Sequence, residues 1–199
     1  MDSRLFIQDL KKPQDFHEYF SKKQDLVLDL GSGMGEFAIE LAQTHPHFNY
    51  ICVEKRMPRA RAIAERIDKR SLTNIIVIQT RFEWLIPHCF FHNHFHTIYL
   101  NFPDPWLKAK YSSRRTMTTK FLNYVSDALI LNGNFHFATD VDEYAQFGHD
   151  LLEDHPDFIN QLGPQVISKE PPEIQKTLFY YHAQNDNIDS NFIHFTKVK

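Results

Sequence analysis

The chain is poor in the features that would take it out of ordinary globular chemistry. Two cysteines, Cys52 and Cys89, stand in 199 residues. That is too few for a disulfide framework, so a reducing cytoplasm is the expected compartment. No apolar run approaches the roughly 18 residues of a membrane span, and Met1 to Lys12 lacks the apolar core of a signal peptide. Charge of one sign is not in excess either. The net charge is -3, so contact with a nucleic acid has to come from a local patch and not from a global field. Repeats and low-complexity tracts are missing. What is there, 42% hydrophobic and 24% charged residues, is ordinary for a soluble protein. The length suits one domain over 1–199, with 1–24 as a short N-terminal extension and 164–199 as C-terminal strands and a loop.

Along the chain, apolar strands alternate with helical spacing. Pro13 to Lys22 reads as a short leading helix, Asp25 to Leu30 as a strand, and Glu36 to Thr44 as a helix. Phe48 to Val53 is a second strand that ends at Glu54, Pro58 to Arg70 a helix, and Asn74 to Gln79 a third strand. Residues 82–95 read as irregular or partly helical, and strand four, from His96, ends at Phe102. A helix over Thr116 to Leu129, a turn at Asn132-Gly133, a fifth strand over Asn134 to Ala138 and a helix over Val141 to Glu153 follow. The segment from Val166 to Val198 is expected to hold two more strands. Buried strands alternating with helices imply a mostly parallel sheet covered on both faces, in an α/β fold. Ligands of such sheets bind beyond the carboxyl ends of the strands. Asp29, Glu54, Asp104 and Asp140 all fall at such ends.

Two of these ends carry chemistry. Asp29-Leu30-Gly31-Ser32-Gly33-Met34-Gly35 leaves a strand and opens a helix. Gly31 and Gly33 let the turn tighten and let a ligand press on the backbone. Glu54 closes the next strand, where a carboxylate can accept two hydrogen bonds from a ribose diol. The spacing is Gly-x-Gly-x-Gly and not the dinucleotide pattern Gly-x-Gly-x-x-Gly, which argues against NAD. Asp29, beside the turn, can pair with a cationic amino group. An adenosyl compound that carries an ammonium, S-adenosylmethionine, satisfies all three; a tight turn with solvated acids is the plainer alternative.

The other end is Phe102-Pro103-Asp104-Pro105-Trp106, followed by Lys108, Lys110, Arg114 and Arg115. Two prolines fix the backbone on either side of one carboxylate, and neither has an N–H. A planar aromatic and a group of cations come next. A flat, polar group attached to phosphate, such as a nucleobase within a nucleic acid, suits that mouth. The competing roles are a turn-capping aspartate and a core tryptophan.

These residues resemble a known family. Phe102-Pro103-Asp104-Pro105-Trp106-Leu107-Lys108-Ala109-Lys110 with Arg114-Arg115 looks like the signature of bacterial tRNA (guanine-N7-)-methyltransferases. Leu28 to Gly35 and Gly133 to Asp140 are similar to it as well, in the same order and spacing. The resemblance covers roughly residues 25 to 199. It implies a Rossmann-like, seven-stranded class I methyltransferase sheet and methyl transfer from S-adenosylmethionine to N7 of a guanosine in the tRNA variable loop. It further implies that Asp29, Gly31, Gly33, Glu54 and Asp104 hold the cofactor, that Asp104 stands at the catalytic centre, and that Lys108 and Asp140 contact the substrate. Lys110, Arg114 and Arg115 fall where the family contacts RNA. Thr80-Arg81 takes the place of the acidic or amide residue near the adenine, which leaves the backbone at Arg81 to bind it. Near the end, Thr177-Leu178-Phe179-Tyr180 keeps the threonine and the aromatic of a substrate-side motif and loses its glutamate. Thr177 and Tyr180 are the implied substrate contacts there.

Two alternatives stay open on sequence. One is a methyltransferase acting on another RNA or nucleobase atom, although an acid placed between the prolines argues against an exocyclic amine. The other is a non-catalytic tRNA-binding module. The arginines after Glu54, Arg56, Arg59, Arg61, Arg66 and Arg70 with Lys69, read as a solvated helix face. Cys89, His92, His94 and His96 fit no standard metal spacing, and entering a strand on alternate positions they are expected to point one way; no metal is expected. Monomer and homodimer are equally compatible with the sequence.

Overall fold

The computed structural model describes residues 6–7, 10, 12–106, 108–171 and 189–199. In chain order its elements are strand β1 (Phe6–Ile7), a 3-10 turn (Phe16–Tyr19), β2 (Leu26–Leu30), helix α1 (Glu36–Thr44), β3 (Asn49–Glu54) and α2 (Met57–Lys69). Next come β4 (Ile75–Gln79), α3 (Phe82–Cys89), β5 (Phe95–Asn101), a 3-10 helix (Ala109–Arg114) and α4 (Thr119–Ala128). The described chain ends with β6 (Leu129–Thr139), α5 (Asp142–Glu153), β7 (Phe158–Asn160) and β8 (Asn191–Lys197). The strands form one sheet in the order β1-β4-β3-β2-β5-β6-β8-β7. The expected seven strands are present, and Phe6–Ile7 adds a two-residue edge beside β4. Among the described strands the pairings of β8 with β6 and β7 are antiparallel and the others parallel.

The strands that carry the site are apolar without alternation because both faces are covered. Leu26–Leu30 and Asn49–Glu54 are buried at every position. On one face α1 and α2 pack Ala38, Leu41, Ala60, Ile63 and Ile67 against Val27, Tyr50, Val77 and Tyr99. On the other, α3, α4 and α5 pack Leu85, Phe121, Val125 and Tyr144 against Leu28, Ile98, Phe135 and Phe137. Helix ends follow local chemistry. Pro58 sits in the first turn of α2, where a missing N–H costs nothing. The Thr118 hydroxyl accepts the Phe121 amide at 3.1 Å and caps α4. No described helix is long and apolar enough to cross a membrane.

Two expectations are corrected, the leading helix and the start of the fifth strand, and two are narrowed. The leading helix shrinks to one 3-10 turn at Phe16–Tyr19, capped by Asp15. The partly helical reading of 82–95 narrows to a helix over Phe82–Cys89, which contains Pro87. Strand β6 starts at Leu129, and Asn132-Gly133 lies inside it. Leu129 pairs with Phe95 and Asn134 with Thr97, so residues 130–133 bulge opposite the single residue His96. Finally, among the described residues after Val166, β8 is one of the two expected closing strands, and a further strand, β7, precedes that segment at Phe158–Asn160. Three residues directly after a helix offer too short a period to be read.

The histidines entering β5 pack on different faces. His94 accepts the Phe16 amide at 3.1 Å on the α3–α5 face, whereas His96 lies against Phe48, with 5.3 Å between ring centroids. They do not point one way, and Cys89 and His92 join neither. Burial pushes His94 down to about 4, a nearby His17 reinforces this, and Asp15 opposes it. On the α1–α2 side, Tyr99, His136 and His194 stack across β5, β6 and β8, with centroids 4.7 and 4.1 Å apart. Burial pushes His194 down to about 4 as well, and holds His136 well below the ordinary histidine range.

Candidate active site

The chain leaves β2 to build β3 and β4 on one side and returns to place β5 and β6 on the other. Beyond the carboxyl ends of β2 and β5, at that switch point, a cleft of about 580 Å³ opens. It suits a nucleoside-sized ligand with a second planar group beside it. Its lining includes Gly31, Glu54, Arg81, Phe82, Asn101, Asp104, Trp106 and Arg114.

One half is made by the glycine turn. Gly31 and Gly35 have φ of 79° and 75°, where a side chain is strained. A Cβ on Gly35 would also stand 2.7 Å from Ile63 Cγ1. The Gly31 and Ser32 amides donate to the Val53 carbonyl at 2.9 and 3.0 Å, which folds the turn over the end of β3. Glu54 then ties two elements together. Its Oε2 accepts the Gly33 amide at 3.0 Å, and its Oε1 accepts the Arg56 amide at 2.7 Å at the start of α2. Each carboxylate oxygen keeps a second acceptor site, which a diol can use.

Asp29 lies one residue before Leu30, which lines the cleft. It is 5% exposed, and its Oδ2 has no hydrogen-bond partner among the described residues. Burial pushes its carboxyl up to about 7; the Glu54 charge adds to this and the Ser32 hydroxyl opposes it. A buried, half-satisfied carboxylate of that kind calls for a cation. An adenosyl group with a diol and an ammonium matches this donor set: the diol for Glu54, the ammonium for Asp29, and the open space above Gly33, whose Cβ would meet nothing within 4 Å.

The other half is the loop after β5. Phe102 and Trp106, neither a glycine, have φ of 50° and 43°. They bracket Pro103-Asp104-Pro105. Such residues cost on the order of 1–2 kcal/mol each, and their clustering is characteristic of functional loops. Asp104 is exposed between them, in the cleft wall. The Arg114 guanidinium carbon lies 5.1 Å from the Trp106 ring centroid and 4.8 Å from that of Tyr111, a cation stacked on two rings. Lys110 sits 4.9 Å over the other partner of this group, Tyr111.

The structure thus brings Gly31, Glu54, Arg81, Asp104 and Arg114 into one cleft. Asp29 and Gly33 support it without lining it. Lys108 and Lys110 are exposed outside it, and Asp140 is exposed at the end of β6, also outside the lining. Arg115 turns away: its guanidinium carbon lies 4.9 Å from the Phe147 ring centroid on α5. Thr177 and Tyr180 lie outside the described residues. Sequence reasoning missed Phe82, Glu83 and Asn101, and it assigned Arg56 and Arg59 to a solvated face although both line the cleft. The signal for the arginines was their place in the first turn after Glu54, at a strand's carboxyl end.

Comparison with known proteins agrees with this geometry. A family model described as "Putative methyltransferase" matches residues 23–188. A tRNA (guanine-N(7)-)-methyltransferase of Leptospira interrogans is 39% identical over 140 residues, 70% of this chain and 63% of that protein. One of Alkalilimnicola ehrlichii is 32% identical over 164 residues, 81% of this chain and 69% of that protein. The chain therefore spans just under two thirds of the length of the Leptospira relative. Among solved structures, the 16S rRNA methyltransferase KamB matches with a TM-score of 0.67 at 14% identity, over 95% of this chain and 96% of that one. The aminoglycoside resistance methyltransferase NpmB1 matches with a TM-score of 0.66 at 14% identity, over 94% and 99%. At that identity these two establish the fold alone. The family model and the sequence relatives go further: the chain belongs to the family of tRNA (guanine-N(7)-)-methyltransferases.

Proposed function

We propose that this chain transfers a methyl group from S-adenosylmethionine to N7 of a guanosine in tRNA, in the variable loop as the family resemblance implies, and that it does so in the cytoplasm. The observation that carries the reading is the single cleft that joins the glycine turn and Glu54 to the Pro103-Asp104-Pro105 loop and its stacked Arg114. S-adenosylmethionine supplies an electrophilic sulfonium methyl when bound there. Glu54 and the backbone at Gly31, Gly33 and Arg81 hold the adenosyl part, and Asp29 receives the ammonium. The single-domain organisation over 1–199 is part of the same reading, supported by one sheet that takes strands from both ends of the chain.

Guanine N7 has a lone pair and no proton, so no residue has to act as a base. The protein's contribution is placement of two reactants in line, a proximity effect worth up to about 7–11 kcal/mol. Asp104 orients the base by accepting from its amine edge and stabilises the positive charge that the base acquires. Lys108 and Asp140 contact the substrate from outside the cleft, with Thr177 and Tyr180 as further contacts from the family resemblance. Lys110, Arg114 and Arg115 serve phosphates, which set register without reading sequence.

The test is incubation with labelled S-adenosylmethionine and unmodified total tRNA, followed by nucleoside mapping. Label in 7-methylguanosine is the expected result. Label in another nucleoside would point to a different acceptor atom, and cofactor binding without any transfer would make this a tRNA-binding module.

A further inference from the structure

A second groove, of about 470 Å³, runs beside the cleft. Its walls are Ile86, Pro87 and His88 of α3 and Thr118, Lys120, Phe121 and Tyr124 at the start of α4, and residues 113–116 close one end. Glu83, Arg114 and Thr116 line both spaces. The two spaces therefore adjoin at the Arg114 side chain.

The groove's charge is out of balance. Arg114, Arg115 and Lys120 face it against one carboxylate, Glu83, which lies 4.0 Å from Arg81. None of the three cations is ion-paired with a carboxylate among the described residues. Arg115 is the more telling. Its Nε is buried and has no hydrogen-bond partner among the described residues, while its guanidinium rests on Phe147. Packing on an aromatic ring satisfies the flat face of a guanidinium but not its edge donors. The Lys120 Nζ lies 5.8 Å over the Tyr124 ring, so a cation and an aromatic face occupy the same wall. Hydroxyls from Ser113, Thr116 and Thr118 complete a lining of donors.

We propose that this α3–α4 groove holds the nucleotide next to the methylated guanosine on the same RNA strand. Its phosphate lies on Arg115 and Lys120, and its sugar and base lie along Tyr124. The inference rests on the reading that the substrate is RNA. A base delivered into the cleft leaves its stack, and the neighbouring backbone has to turn with it. Arg114 stands where the two spaces adjoin, and the phosphodiester between target and neighbour passes there. Recognition there is electrostatic and by stacking, so it favours an unpaired neighbour without fixing which base it is.

The experiment compares the full chain with Lys120→Ala, Lys120→Arg and, as a charge control on the remote end of α2, Lys69→Ala. Affinity for unmodified tRNA is measured as a function of salt, together with kcat, KM and calorimetric affinity for S-adenosylhomocysteine. Lys120→Ala should weaken tRNA binding roughly three- to tenfold and reduce the logarithmic salt slope by about one, raising KM more than it lowers kcat. Lys120→Arg should restore binding, and Lys69→Ala should behave as wild type. In parallel, tRNA transcribed with 4-thiouridine is photo-crosslinked and the peptides are mapped; a crosslink within residues 118–124 is expected. Equal losses in Lys120→Ala and Lys69→Ala, or crosslinks confined to residues 106–115, would overturn the groove and leave methyl transfer standing. A wild-type chain that neither binds nor methylates tRNA would overturn both, a result the nucleoside map distinguishes.

Discussion

The two halves of the cleft are built by opposite means. On the β2–β3 side the polar groups are already engaged at the ends of two fully buried strands: the turn amides on Val53, the Glu54 carboxylate on Gly33 and Arg56. On the β5 side the loop is exposed, and two of its residues hold positive φ without being glycine. Its cations stack on Trp106 and Tyr111, and no carboxylate pairs with them among the described residues. The first half is complete apart from one buried carboxyl oxygen. The second half is held by its prolines and aromatic stacking and leaves its hydrogen-bonding capacity for the substrate. A small ligand of constant shape can be met by a preformed cradle, whereas a large polyanion brings its own rigidity and can complete a site on arrival.

The comparison is tested hardest at Asp104. Asp104→Asn keeps the shape and one acceptor oxygen and removes the charge. Turnover is expected to fall by one to a few powers of ten, about 1.4 kcal/mol each, with tRNA affinity nearly intact. The pH–rate profile should contain no base that belongs to this residue. Wild-type turnover in the variant would remove the charge from the mechanism.

On the other half, Asp29→Ala and Glu54→Ala should weaken S-adenosylhomocysteine binding by roughly ten- to a hundredfold, the worth of one or two charge-assisted hydrogen bonds. Asp29 also gives the binding a pH signature. Its carboxyl, raised to about 7, is mostly protonated in the free protein below that value, and an ammonium partner favours the ionised form. Ionisation on binding then releases a proton, so affinity should increase from pH 5.5 to 7.5 and flatten above, and Asp29→Asn should lose this rise. Calorimetry in buffers of different ionisation enthalpy measures it.

Acid stability comes next. His94 and His194, held down near 4, and His136, held down by burial, take up protons on unfolding between pH 6.5 and 4. Their neutral forms therefore contribute stability that is intact above 6.5 and lost as pH falls through this window. Asp29 acts in the reverse sense: raised to about 7, it favours folding at low pH and costs stability on ionisation, partly offsetting the histidines. Since several lowered histidines, His155 among them, oppose one carboxyl, the melting temperature should drop by roughly 10 °C between pH 7 and 4.5, and more steeply in Asp29→Asn. A flat profile would mean that the histidines are solvated.

The smallest effect is expected from the two arginines after the loop. Arg114→Ala with Arg115→Ala should weaken tRNA binding and lower the logarithmic salt slope by about two, one per lost phosphate contact. An unchanged slope would make the β5 side a solvated loop.

What could be read in the sequence was what is local. The glycine turn, Glu54 and the proline-flanked Asp104 each declare themselves within a few residues, because backbone geometry or a strand end fixes what can stand there. Phe82 and Asn101 reach the cleft only through the packing of α3 and the ordering of the sheet, which no short window contains. Arg56 and Arg59 have the composition of a solvated face, and only the switch point turns that face toward a ligand. The β6 bulge escaped because Asn-Gly signals a turn, and the pairing of Phe95 with Leu129 across it is non-local. Thr177 and Tyr180 remain expectations from resemblance.

The Glu54 carboxylate has one consequence for time rather than affinity. It accepts two amide hydrogens from opposite sides, Gly33 in the turn and Arg56 at the head of α2. Neither amide can exchange with solvent until that carboxylate lets go. If one opening event frees both, their deuterium uptake runs on a common clock, and a ligand that engages the same carboxylate slows the pair together. Two backbone positions 23 residues apart in sequence would then report the residence time of a single bound molecule.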